Sequence, residues 1–239
     1  MTQILFQYHP DLLTQYPAIE GGLLLVTGLQ NGPTPPALFA QYTAEQQAVN
    51  GRLPASLADL PSIAAWRTAF RRFGVNPTQY RCAAEALLRR LSKAGDIPSI
   101  NTLVDIGNLV SIRYGLPIAI LDWRAVTGTV TARLATGNER FTELGSAEPV
   151  HPEAGEVIFA DETAMVLARR WCWRQSAESA AQEDTTTVVI TVEAHHATGA
   201  ADVQAALHDL QQLLTAYVGG AISSGHLNVS QAAFSPHKD

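Results

Sequence analysis

PSINTLVDIGNLVSIRYGLP, residues 98–117, closes a basic helical stretch and opens an apolar one, yet it keeps three short polar side chains, Asn101, Asp105 and Asn108. Spaced i, i+4 and i+7, they share one face if the segment is a helix. Leu103, Ile106, Leu109 and Val110 then turn toward a core. Short amides and a carboxylate on a half-buried helix need partners, because each one buried unpaired costs about 1–3 kcal/mol. The partner is either protein or ligand, and the spacing alone leaves both open.

The segment also divides the chain. On its N-terminal side ILFQYH (4–9) alternates like a strand, and GGLLLVTGL (21–29) reads as a second, buried strand entered through a Gly-Gly turn. Helical spacing follows over Tyr42–Asn50, over Leu57–Phe73 with Gly74 as its stop, and from Thr78 to a stop at Gly95. On the C-terminal side IAILDW, GTVTARLA, EVIFAD, AMVLARRWCWRQ and TTTVVITVEA are short, branched and separated by Gly, Asp or Asn, which predicts strands. DVQAALHDLQQLLTAYVGG then predicts one amphipathic helix, with Asp202 as N-cap and Gly219 as C-cap. Helices concentrated before residue 117 and strands after it favour an α+β fold over regular βαβ alternation.

A chain of 239 residues, 46% hydrophobic, can bury a full core. Its formal net charge of -6 excludes a general polyanion binder but not a local basic patch. Cys82 and Cys172 match no metal-ligand spacing, the histidines form no zinc pattern, and the Gly-Gly pairs lack a phosphate-loop lysine, so no metal or cofactor is expected. The first residues show no basic-then-apolar leader, and no apolar run is long enough for a bilayer. A cytoplasmic protein with free thiols and no membrane partner is the expectation.

Two stretches stand out chemically. Arg67, Arg71, Arg72, Arg81, Arg89, Arg90 and Lys93 crowd a segment whose single acid is Glu85. Such segregation suits an RNA-contacting surface, with Arg67, Arg71, Arg72, Arg89, Arg90 and Lys93 as its candidates, and it equally suits a solvated helical face. In RRWCWRQ (169–175), strand alternation places Trp171, Trp173 and Gln175 on one side and Arg170, Cys172 and Arg174 on the other. Aromatic rings and an amide beside cations would suit an aromatic ring, an aminoacyl group or a nucleobase, making Trp173, Arg174 and Gln175 substrate-binding candidates, to which Asn101 and Asn108 are added if their partner is a ligand. Core tryptophans with snorkelling arginines are the plain alternative. Cys172 has no histidine nearby in sequence to serve as base, so an inert thiol is expected and the catalytic residue stays unknown.

Extended to residue 145, the opening stretch resembles the editing module of the bacterial phenylalanyl-tRNA synthetase beta subunit, the domains called B-three and B-four. The likeness rests on Asn101, Val104-Asp105, Asn108, Gly115 with Pro117, Asp122, Gly128, Arg133, Gly137-Asn138-Glu139, Leu144-Gly145 and Ala160-Asp161, in order and spacing. It covers residues 76–195 and none of the first 50. The resemblance implies a layered α+β fold with a β-sandwich-like core flanked by helices. It also implies one editing-module-like unit over 1–239, with 1–75 as an N-terminal extension or subdomain and 76–239 as the core. No synthetase catalytic motif or anticodon-binding domain is present, so the likeness is to free-standing members. By resemblance the chain is a candidate trans-editing hydrolase of mischarged aminoacyl-tRNA, binding the aminoacylated 3' end and working without a protein nucleophile. Asn101, Asp105 and Asn108 would brace the pocket wall. Ala119 stands where the module usually has histidine, and Gln175 where it has a glutamate, which keeps hydrogen bonding without a charge. A non-catalytic module binding a free amino acid or a tRNA end, and a small-molecule enzyme on the same fold, are the alternatives.

Overall fold

The computed structural model describes residues 3–236. In chain order the elements are β1 (Phe6–Tyr8), α1 (Pro10–Gln15), β2 (Glu20–Thr27), α2 (Pro36–Asn50), α3 (Pro61–Arg72), α4 (Ala83–Ala94) and α5 (Thr102–Tyr114). They continue with β3 (Ile118–Asp122), β4 (Val130–Leu134), β5 (Phe141–Thr142), β6 (Pro149–Val150), β7 (Val157–Ala160), β8 (Val166–Arg169) and β9 (Arg174–Gln175). β10 (Thr187–Ala194), α6 (Gly199–Tyr217), β11 (Ala221–Leu227) and β12 (Ala233–Phe234) complete the fold.

Local chemistry sets the helix ends. Asn101 caps α5 from an extended backbone, its side-chain oxygen accepting from Val104 N at 3.0 Å. Gly115, at φ 64°, ends that helix in the left-handed region that suits glycine. α4 opens at Cys82, whose Sγ accepts from Glu85 N at 3.5 Å, rather than at Thr78. Thr78 is held in a turn, its N–H donating to Asn76 Oδ1 at 2.9 Å. α6 begins at Gly199, three residues before the expected cap. Asp202 lies in its first turn instead, accepting from the Thr198 hydroxyl at 2.9 Å.

Six strands form one sheet in the order β12-β1-β4-β7-β8-β9, and four form another in the order β11-β2-β10-β3. The Gly-Gly pair shows how the layers stack. It is not a turn but lies inside β2, and a Cβ on Gly21 would sit 2.3 Å from the Tyr8 hydroxyl of the larger sheet. A Cβ on Gly22 would strike Leu207 and Val203 of α6 at 2.8 Å. The two glycines let the smaller sheet pack closely on a sheet at one face and on helices at the other. α5 uses the same device, since a Cβ on Gly107 would lie 2.7 Å from Ile120 of β3.

The main core fills the space between the sheets and under the helices, with Phe6 and Phe159 edge-to-face at 5.1 Å. β7 alternates strictly: Val157 and Phe159 join this core, whereas Ile158 and Ala160 join Phe141 and Val166 in a small cluster on the other face. The layered α+β arrangement expected from the sequence is the one observed. The boundary expected at residue 75 marks no break in either sheet. β1 lies between β12 and β4, and β2 between β11 and β10, so the first 75 residues supply interior strands to both layers.

Candidate functional site

A cleft of about 390 Å3 opens between α5 and β3. Asn101, Val104, Gly107 and Asn108 line it from α5 and its cap, Ile118 and Ile120 from β3, and Leu144, Gln175 and residues 180–182 close it. A narrower cavity of about 110 Å3 shares Ile118 and Gln175 with the cleft and continues past Ala119 and Trp173 to Thr191 and Glu193. The cleft is apolar with a few amides, and among the described residues no ionisable side chain lines it.

Gln175 stands where the two cavities meet. Its Nε2 donates to Ile120 O at 2.6 Å and to Ser179 O at 2.8 Å, tying β9 to β3 and to the loop that follows β9. Both donors are committed, and Oε1 accepts nothing from the described residues, so the amide can offer a ligand only an acceptor. Asn101 is almost wholly internal: besides capping α5, it donates to Ala181 O at 3.2 Å. Asn108 is half-buried, lines the cleft, and lies beside the Tyr42 phenol without a well-formed hydrogen bond to it. Burial, and then the Asp105 carboxylate, push the Tyr42 phenol up.

Asp105 leaves the row that its spacing suggested. Fully buried, it accepts from the hydroxyls of Ser99 and Thr34 and from Ile100 N at 3.0 Å. It therefore fastens the segments before α2 and α5 together and does not line the cleft.

RRWCWRQ is not a single strand. Arg170 to Trp173 form a tight turn between β8 and β9, with Arg170 at φ 45° and Trp171 at φ 63°. Left-handed backbone costs such residues about 1–2 kcal/mol each. The turn separates the two tryptophans that alternation had placed together. Trp171 is fully buried against Tyr16, Trp66 and His195, and its Nε1 donates to Glu193 at 3.1 Å. Trp173 lies at the surface end of the narrow cavity, 5.0 Å edge-on from Tyr80. The Arg170 guanidinium sits 3.9 Å from the Tyr80 ring centre and 4.8 Å from that of Trp173. The Arg174 guanidinium lies 5.0 Å from the Trp173 ring centre and pairs with Glu143. Burial, and then the adjacent Cys82 thiol, push the Cys172 thiol up, away from the thiolate a nucleophile needs.

The basic segment splits as well. Arg67 is mostly buried, and its Nη1 lies 2.8 Å from Oε1 of Glu85. Arg89 reaches the same oxygen at 2.9 Å and Arg81 at 3.9 Å. Arg71 and Arg72 are exposed at the end of α3, Arg90 and Lys93 on α4, and none of the six candidate RNA contacts lines the cleft. Three of the seven cations are drawn onto Glu85, and the exposed ones stand at the end of α3 and along α4.

Sequence reasoning missed Glu193. It is buried, accepts from the Tyr8 hydroxyl at 2.7 Å, and desolvation pushes its carboxyl up to about 7, against the hydrogen bonds from Tyr8 and Trp171. Period-two alternation in TTTVVITVEA did carry a signal, since it sets Glu193 on the same face as Thr191. Among the described residues, no three His, Cys, Asp or Glu side chains are placed to hold a metal, and no helix is long and apolar enough to cross a membrane.

The model of the B3/4 domain family matches residues 65–219, more than half of the chain. The phenylalanine-tRNA ligase beta subunit of Shewanella oneidensis is 35% identical over 79 residues, or 33% of this chain and 10% of the relative. Its counterpart in Symbiobacterium thermophilum is 39% identical over 83 residues, 34% of this chain and 9% of the relative. The match thus spans about a tenth of those relatives. The crystal structure of an N-terminal fragment of the phenylalanyl-tRNA synthetase beta subunit from Pyrococcus horikoshii superimposes with a TM-score of 0.50 at 13% identity, covering 93% of this chain and 52% of that one. That likeness is one of fold.

Proposed function

From the premise that the chain belongs to the B3/4 domain family, we propose that its cleft takes the aminoacyl group at the 3' end of a mischarged tRNA. On this reading the protein is a trans-editing hydrolase. The observation that carries it is the lining of the cleft, apolar walls from α5 and β3 around an amide whose remaining free atom is an acceptor. An aminoacyl ester is already activated, so a positioned water, helped by the vicinal ribose hydroxyl, suffices without a protein nucleophile. Gln175 Oε1 would favour amino acids that present a donor, such as a hydroxyl. Asn108 would face the substrate, and Trp173 with Arg174 would border its entry from the narrow cavity.

A second reading, binding of a free amino acid without hydrolysis, is favoured by two features. Among the described residues no ionisable side chain lines the cleft, and Arg67 and Arg89 are engaged by Glu85. Incubation of the protein with a panel of mischarged tRNAs separates the two. Release of one amino acid class from its tRNA, weakened in Asn108→Ala, supports editing. Binding of the free amino acid with no acceleration of deacylation across the panel would establish the binding module.

A further inference from the structure

The walls of the narrow cavity beside the cleft are mostly apolar, supplied by Ile118, Ala119, Phe159, Ala168 and Trp171, and one hydroxyl stands among them. It belongs to Thr191 of β10, which lies opposite Ala119 of β3 in the sheet register and shares a strand face with Glu193. Thr191 is 2% exposed, and that remainder opens on the cavity. Its hydroxyl meets no hydrogen-bond partner among the described residues and is not sealed off by its neighbours. A valine of the same shape would pack there without burying a polar group, so the hydroxyl is costly unless something enters the cavity to pair with it.

The polar groups around the cavity define what that partner is. Gln175, at the junction with the cleft, has both donors committed and offers only Oε1, an acceptor. The Thr191 hydroxyl both donates and accepts. Glu193, at the far end, already accepts from the Tyr8 hydroxyl and from Trp171 Nε1, and Arg174, at the mouth, pairs with Glu143. No countercharge is left open for an ion, whereas a neutral hydroxyl can donate to Gln175 and accept from Thr191. Size narrows the choice further. The cavity holds about 110 Å3. A cavity that accepts benzene is about 150 Å3, and at about 30 Å3 for each water-sized group there is room for only about three or four heavy atoms. We infer that the narrow cavity receives the side chain of the aminoacyl group, and that Thr191 selects a short hydroxylated one, of the serine and threonine class, over aromatic and purely aliphatic ones. The inference rests on the reading that the cleft takes an aminoacyl ester.

Deacylation of threonyl, seryl, valyl and tyrosyl esters, each carried on a non-cognate tRNA, tests it, with Thr191→Val as the matched variant of the full chain. Threonine and valine differ by a hydroxyl in place of a methyl. The threonyl ester should be cleaved with a kcat/KM about tenfold or more above that of the valyl ester, and the tyrosyl ester should lag behind both. In Thr191→Val the threonyl and seryl rates should fall about tenfold while the valyl rate holds or rises. Preference for the tyrosyl ester, equal cleavage of threonyl and valyl esters, or a uniform fall across the panel in Thr191→Val would each overturn the inference and leave the editing reading standing. If no ester is cleaved, the editing reading fails, and calorimetric titration with the free amino acids decides the inference by itself. Threonine binding about tenfold or more tightly than valine and tyrosine supports it, and equal or absent binding overturns it. Because Thr191→Val removes an unpaired hydroxyl, the variant should melt no lower than the parent. A lower melting temperature would show that the hydroxyl is paired within the protein and would remove it from the site.

Discussion

The cleft beside α5 and the corner where α3 meets α4 dispose of their polar side chains in opposite ways. At the corner Arg67, Arg81 and Arg89 converge on one oxygen of Glu85, a carboxylate 1% exposed, so the buried negative charge is countered by guanidiniums, two of which keep about a third of their side chains in water. In the cleft no ionisable side chain appears among the described residues. Gln175 binds two backbone carbonyls and leaves its acceptor open, and Asn108 leaves its amide toward the cavity. The difference follows from desolvation: a charge removed from water needs a countercharge, whereas a neutral amide can stand half-satisfied at modest cost and remain available to a ligand. Dense charge in the sequence therefore marks bracing around Glu85 here, and sparse amides mark the cleft.

The sharpest way to break this contrast is Glu85→Ala. It leaves Arg67, with 15% of its side chain exposed, without its partner and should lower stability by about 3 kcal/mol in denaturant melts. The lower end of the range for buried pairs applies because Arg81 and Arg89 keep about a third of their side chains in water. A loss below about 1 kcal/mol would reduce the hub to ordinary surface pairing and erase the difference between the two regions.

Glu193 tests the border between them, since it is a buried carboxyl at the end of the cavity that adjoins the cleft. Its folded-state pKa of about 7 lies above the ordinary 4.5, so the folded form prefers the protonated acid. Its contribution to stability is complete below about pH 4.5 and is lost as pH rises through about 7. Against Glu193→Gln, which cannot titrate, the parent protein should lose about 2–3 kcal/mol of relative stability across that window, read from melts at a series of pH values. The depressed His195 slopes the other way but cancels in the difference between the two proteins. Parallel pH profiles would mean that water reaches Glu193.

Gln175→Glu asks whether the cleft tolerates a charge. The new carboxylate would face Ile120 O and Ser179 O, which now accept from the amide. Above the carboxyl pKa the variant should be less stable by about 2 kcal/mol, with partial recovery in acid, where protonation restores one donor. Unchanged stability at neutral pH would mean that the side chain turns away and that Gln175 is not a fixed acceptor.

Much of this was legible in the sequence where periodicity and capping act locally. The α5 segment is helical, as the spacing of its polar and apolar residues suggests, and the strands after residue 117 lie where branched residues cluster. Three features were not legible because they depend on partners distant in the chain. The Gly21-Gly22 pair looks like a turn until Tyr8 and α6 are seen pressing on either face of β2. RRWCWRQ alternates like a strand, but Val157 O takes Trp171 N at 2.6 Å and holds the backbone in a left-handed turn that no local propensity announces. Counting cations over residues 67–93 could not reveal that a single acid among them would sit at their focus.

The finest division lies within the row that the sequence singled out. Asn101 and Asn108 both line the cleft, but Asn101 makes two well-formed hydrogen bonds, as N-cap to Val104 N and as donor to Ala181 O, whereas Asn108 makes none of that quality. Removing a capping side chain typically costs about 1 kcal/mol, and the lost tie to Ala181 adds to it, so Asn101→Ala should destabilise the protein by about 1–2 kcal/mol. Asn108→Ala should change stability by less than about 0.5 kcal/mol, the usual range for a side chain with no firm partner. The order should reverse in a binding or deacylation assay. There, Asn108→Ala should lower the response across the whole amino-acid panel, and Asn101→Ala should leave the protein that remains folded close to the parent. If Asn108→Ala instead proves the more destabilising of the two, its amide is bound to Tyr42 after all, and the ligand-facing wall of the cleft shrinks to Gln175 and its apolar neighbours.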